Sequence, residues 1–169
     1  MVTEVTTNIV ISINTTQTTG GNRMLYSEVF KNLNKKTIEV TRLLPKDGIW
    51  KKDVSTEEKI LICEKWLKSV SEIYEVEVPK FRFSNSQSGY FTSGGGIYSS
   101  ETACITLYKK FSIVTLLHEF RHHMQYQNSI RMYRGEQEED ARAWSLSLYK
   151  SALPKSYQNS VDKRNLHFY

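Results

Sequence analysis

The run His118-Glu119-Phe120-Arg121-His122 constrains this chain more than any other stretch, because it asks for a helix that carries two imidazoles and a carboxylate beside the first. Positions i and i+4 of a helix lie on one face about one turn apart, so both rings can reach a single metal ion. Glu119 is rotated off that line, which leaves it free to act as a base on an attacking water rather than as a ligand. Three of the four histidines, His118, His122 and His123, fall in this short stretch. A chance occurrence of the pattern in this composition comes to about one per cent. The surroundings are helical as well. Ile113, Leu117, Phe120 and Met124 form an apolar stripe with the histidine pair on the opposite side, Ser112 reads as the N-cap, and no Pro or Gly interrupts the run to Asn128.

A metal site built for hydrolysis needs a third protein ligand and one open position. Outside the cluster the only histidine is His167, so the acids of Arg134-Gly135-Glu136-Gln137-Glu138-Glu139-Asp140-Ala141 come forward, at the start of a second helix running to about Lys150. Ala141, Trp144 and Leu148 give that helix its apolar face. Glu138 lies beside it, in line with the small residues Ala141 and Ser145, which let two helices approach closely. Glu139 points about 100 degrees away and Asp140 farther. Glu138 is therefore the expected third ligand, with Glu139 and Glu136 as alternatives. The other reading of these acids is a charged first turn that complements the helix dipole. His123, about 100 degrees round from His122, reads as a supporting or surface residue.

His118-Glu119-x-x-His122 followed by Glu138-x-x-Ala141 on a second helix resembles the gluzincin zinc peptidases, and most of all the compact minigluzincins and ImmA/IrrE-type regulatory proteases. The resemblance covers about 35 residues. It implies a zincin-like α+β fold, Zn²⁺ held by His118, His122 and Glu138, Glu119 as general base and then general acid, and a peptide or protein substrate lying along a sheet edge. Some relatives carry Asp immediately after the alanine of that second motif, where this chain has Arg142. An oxyanion-stabilising donor is also expected, and Tyr126, Tyr133, Tyr149, Arg142 and His167 are all chemically suitable.

At 169 residues, 39% hydrophobic and 24% charged, the chain suits a single domain spanning 1–169. No window is apolar enough for a membrane span, and the Thr-rich start lacks the organisation of a secretory signal, so a cytoplasmic protein is expected. Cys63 and Cys104 fit apolar faces as free thiols. The net charge of +5 is scattered in short pairs such as Lys35-Lys36 and Lys109-Lys110, which argues against nucleic acid as a partner. Oligomeric state is not legible.

Along the chain, Ile9, Ile11 and Ile13 alternate as in a strand, Met24 to Leu33 has helical spacing, and Thr37 to Leu44 reads as a strand closed by Pro45. Ser55-Thr56-Glu57-Glu58 is a capping box opening a helix with Ile60, Cys63, Leu67, Val70 and Tyr74 on its buried stripe. Lys80 to Phe83, Tyr90 to Thr92 and Ala103 to Tyr108 read as strands of a small mixed sheet. The last of these is the expected edge strand that precedes the metal helix and pairs with substrate. Ser93-Gly94-Gly95-Gly96 reads as a flexible hairpin connection or a mobile flap, and the tail from about 154 to 169 as a docked irregular segment. Two other function classes fit the same residues: a non-catalytic zincin-like binding module, and a zinc hydrolase or nucleic-acid-associated protein with a non-peptide partner. Intact Glu119 weighs against the module, because binding alone has no need of a base.

Overall fold

The computed structural model describes residues 33–86, 95–129 and 132–164. The expected strands at Ile9 to Ile13 and Tyr90 to Thr92 lie outside these residues, as do His167 and all of Met24 to Leu33 except Leu33, which is not helical. The first described element corrects the sequence reading: Thr37 to Leu44 is not a strand but part of helix α1 (Lys35–Asp47). Asn34 caps it by accepting from the Lys36 N–H at 2.8 Å, and Gly48 ends it in a left-handed conformation at φ 109. Its β-branched residues favour strand, but Thr37, Thr41 and Leu44 recur at helical spacing and are buried. The Trp66 indole donates to the Thr41 hydroxyl at 3.1 Å, and Thr41 donates to the Thr37 carbonyl at 2.7 Å. Tertiary partners thus outweigh local preference. Pro45 is accommodated in the last turn.

Helix α2 (Thr56–Tyr74) starts at the expected capping box, in which Ser55 and Glu58 bond reciprocally, and buries Cys63, Trp66, Leu67 and Val70. Three strands follow, β1 (Lys80–Ser84), β2 (Gly96–Ser99) and β3 (Cys104–Tyr108), in the order β1-β3-β2, with β1 parallel and β2 antiparallel to β3. The strand before the histidine-bearing helix is therefore central, and among the described residues β2 stands at an edge, contrary to the expectation for Ala103 to Tyr108. Cys104, Ile105 and Leu107 are all buried, the near-continuous apolar run of a strand covered by neighbours.

Helix α3 (Ile113–Gln127) carries the histidines and packs against β2, β3 and α4 (Arg134–Ala152), which in turn contacts α1. Ser112 caps α3 as expected, accepting from the Thr115 N–H. The predicted stripe Ile113, Leu117, Phe120 and Met124 is buried, and so are Leu116, His118, Glu119 and His123, so α3 is enclosed on most of its circumference. Phe120 meets Trp66 edge-on at 5.5 Å and Trp144 at 6.2 Å, which ties α2, α3 and α4 into one core. Tail residues 154–162 correct a second expectation: they form helix α5 (Pro154–Asp162), with proline in its opening turn and none of its residues buried, so no apolar stripe announced it. The architecture is mixed α and β, with five helices and a three-stranded mixed sheet among the described residues.

Candidate metal centre

The small buried residues Ala141 and Ser145 let α4 lie close to α3, and a polar bracket fixes the pair in register. Arg121 donates through Nε to Asp140 Oδ2 at 2.8 Å and through its terminal nitrogen to Oδ1 at 3.1 Å. The same Oδ2 accepts from Gln125 Nε2 at 2.7 Å, which also donates to the Gln137 carbonyl at 3.0 Å. This forked geometry is the strong form of an arginine–carboxylate pair, and it is only partly exposed. It brings Glu138, two residues before Asp140, opposite the two histidines.

There the three residues converge. His118 Nε2 lies 3.1 Å from His122 Nε2 and 3.2 Å from Glu138 Oε2, and Glu138 Oε1 lies 3.3 Å from His122 Nε2. The protonation of His122 follows from its support. Both partners of Gln125 Nε2 are acceptors, so the amide oxygen must face His122 Nδ1, 2.9 Å away, and Nδ1 carries the hydrogen. In the neutral ring Nε2 is then a bare lone pair. That lone pair can accept a hydrogen from His118 Nε2 or, with the His118 hydrogen on Nδ1, join His118 Nε2 and a Glu138 oxygen as donors to one cation. Tetrahedral ligands at bonds of about 2.0–2.2 Å sit about 3.3–3.6 Å apart, a little more than the edges of this triangle. The donor set therefore fits a small divalent cation.

Glu119 stands outside the triangle. It is buried, and the Tyr98 backbone N–H on edge strand β2 donates to its carboxylate. Burial pushes its carboxyl up to about 8, with repulsion from Glu138 adding to the rise. Burial holds His118 down at about 4, and repulsion from His122 acts the same way against the attraction of Glu138. His118 is thus neutral at physiological pH, as a ligand must be.

His123 is neither at the surface nor available as a ligand. It is fully buried; Nε2 donates to the Glu77 carbonyl at 2.7 Å, so the neutral ring accepts through Nδ1 from the Tyr98 hydroxyl at 3.0 Å. Tyr98 keeps that proton, since burial pushes its phenol up to about 12. This clamp ties the edge strand to the metal helix and holds the Tyr98 N–H that steadies Glu119.

Among the alternatives for the third ligand, Glu136 accepts from the Tyr133 N–H at its own helix start, and Glu139 is not part of the triangle. Arg142 is only a donor, and His118 Nδ1 and Arg142 Nε are both buried without a hydrogen-bond partner among the described residues. Arg142 therefore supplies no acceptor to His118 Nδ1. Of the candidate oxyanion donors, Tyr126 and Tyr133 are exposed and Tyr149 packs into the core beside Tyr157.

Sequence reasoning missed the bracket. Asp140 was weighed only as a ligand, yet Gln137, Asp140, Trp144 and Ser147 share a helical face, and the burial of Trp144 and Ser147 on it points Asp140 inward. The glycines have an observed role too: a Cβ on Gly96 would come within 2.8 Å of Thr115 Cγ2 and 3.0 Å of the Thr106 carbonyl, so β2 closes on the first turn of α3 only without a side chain there. No protein-family model, curated protein or solved structure matches the chain, and the reading of this centre rests on its own geometry.

Proposed function

We propose that the chain is a zinc-dependent peptidase of gluzincin type, with a zincin-like arrangement of edge strand, metal helix and third-ligand helix. One observation carries this reading: three side chains able to ligate a metal converge within hydrogen-bond distance while Glu119, a buried carboxylate next to His118 in sequence, stays outside their set beside the Tyr98 backbone. A purely structural metal site has no use for a buried carboxylate kept outside its donor set. His118 and His122 offer Nε2 and Glu138 a carboxylate oxygen; two nitrogens and one oxygen suit zinc better than magnesium or calcium, which favour all-oxygen sites.

Zinc bound there would polarise a scissile carbonyl and acidify the attacking water. Glu119 takes the proton of that water as its oxygen adds to the carbonyl carbon. It then delivers the proton to the amide nitrogen as the carbon–nitrogen bond breaks. Tyr98 keeps the carboxylate aimed through its backbone N–H, and the outer edge of β2 offers backbone groups to an extended substrate. Gln125 fixes the His122 ring so that Nε2 faces the metal.

A peptide library incubated with zinc-loaded wild type and with Glu119→Gln tests this reading. Cleavage by wild type that falls by about 10² or more in Glu119→Gln, at equal zinc content, is expected. Full activity of Glu119→Gln would rule out the assigned base.

A further inference from the structure

A second concavity, of about 580 Å³, opens at the N-terminal end of α3, and none of His118, Glu119, His122 or Glu138 lines it. Its volume falls in the range of small-molecule sites. The described residues lining it include Lys59, Lys109 and Lys110 and no acid. Its apolar wall is aromatic: Phe83 and Phe111 stack with centroids 4.0 Å apart at 11°, Lys59 Nζ stands 5.9 Å above the Phe111 ring, and Trp50 is 45% exposed at the rim.

The floor is a turn fixed by backbone hydrogen bonds. The Lys109 N–H donates to the Ser84 carbonyl and the Lys110 N–H to that of Tyr108, which pins the turn with Lys109 at φ 63. Ser112 Oγ accepts from both the N–H and the hydroxyl of Thr115, so its own hydroxyl hydrogen remains to be donated outward. No acid occupies the first turn of α3, and the partial positive charge of that helix end adds to the lysines.

We infer that this cleft binds a small planar anion, an aromatic ring carrying a phosphate or carboxylate, with the ring against Trp50 and the phenylalanine pair and the charge on Lys59, Lys110 and Ser112. Cations and aromatic faces side by side match such a molecule better than either a bare ion or an apolar one. The site is independent of the metal centre: about six residues of helix, roughly 9 Å along the axis, separate Ser112 from His118.

Adenosine 5′-monophosphate serves as the probe, titrated into ¹⁵N-labelled protein stripped of metal with a chelator. Saturable shifts at Trp50, Lys110, Phe111 and Ser112 are expected, with adenosine and inorganic phosphate each weaker by about tenfold or more. The double change Lys59→Gln/Lys110→Gln, at a half-buried and an exposed lysine, should weaken the nucleotide by about tenfold or more while leaving the rest of the spectrum in place. No saturable shift at these residues, shifts confined to the metal centre, equal binding of adenosine, or undiminished binding by the double variant would each overturn the assignment.

Discussion

Glu119 and His118 sit side by side in sequence, and one environment perturbs them in opposite senses. Burial raises Glu119 from 4.5 to about 8 and lowers His118 from 6.5 to about 4. In the metal-free protein, Glu119 contributes stability that is fully present below pH 4.5 and is lost as pH rises through about 8. His118 contributes stability present above pH 6.5 and lost as pH falls through about 4. A divalent cation beside Glu119 restores its carboxylate form, so metal binding at pH 7 should release about one proton more from wild type than from Glu119→Gln. Calorimetry in two buffers of different ionisation enthalpy measures this, and equal release by both proteins would contradict the assignment. Gln125 makes a second test at this scale. Gln125→Leu removes the acceptor that sets the His122 tautomer but leaves the Arg121–Asp140 pair, so the fold should persist while metal affinity drops about 10- to 100-fold in chelator competition.

Among the elements, β2 bears most on function, because it joins Glu119 to the sheet and closes on α3 through Gly96. Gly96→Ala places a methyl group against backbone as well as side chain, and backbone cannot move aside cheaply. It should cost about 1–3 kcal/mol in chemical denaturation and reduce turnover more than metal content. A neutral effect on both would mean that the strand is not held this closely. The elements differ in how plainly the sequence announces them. Helices α2, α3 and α4 were legible because each has an apolar stripe at helical spacing, and α2 and α3 have side-chain caps. Helix α1 was not, because the partners of Thr37 and Thr41 are Tyr74 and Trp66, far along the chain. The central place of β3 was hidden for a related reason: its parallel pairing with β1 depends on a connection that no local pattern encodes. The convergence of His118, His122 and Glu138 could be read from spacing on two helices, whereas Gln125, Asp140, Tyr98 and His123 act through contacts between elements.

For the whole molecule, the aromatic core that clamps α3 makes the histidine-bearing helix part of the cooperative fold. Cys63 lies on the buried face of α2 with no exposure, and its thiol is pushed up to about 12 by burial, with Glu64 adding to it; Cys104 is buried as well. Both should resist a thiol reagent at pH 8 until the chain opens, so labelling should follow the unfolding rate. Fast labelling of either cysteine in native protein would show that the core opens locally. No helix among the described residues is long and apolar enough to cross a membrane. The account as a whole rests on a metal held by α3 and α4 together. Elemental analysis of purified wild type beside Glu119→Gln, Glu138→Ala and Glu139→Ala tests it most directly. About one zinc per chain is expected in wild type, Glu119→Gln and Glu139→Ala, with marked loss in Glu138→Ala; absence of zinc from wild type, or loss in Glu139→Ala with retention in Glu138→Ala, would contradict it.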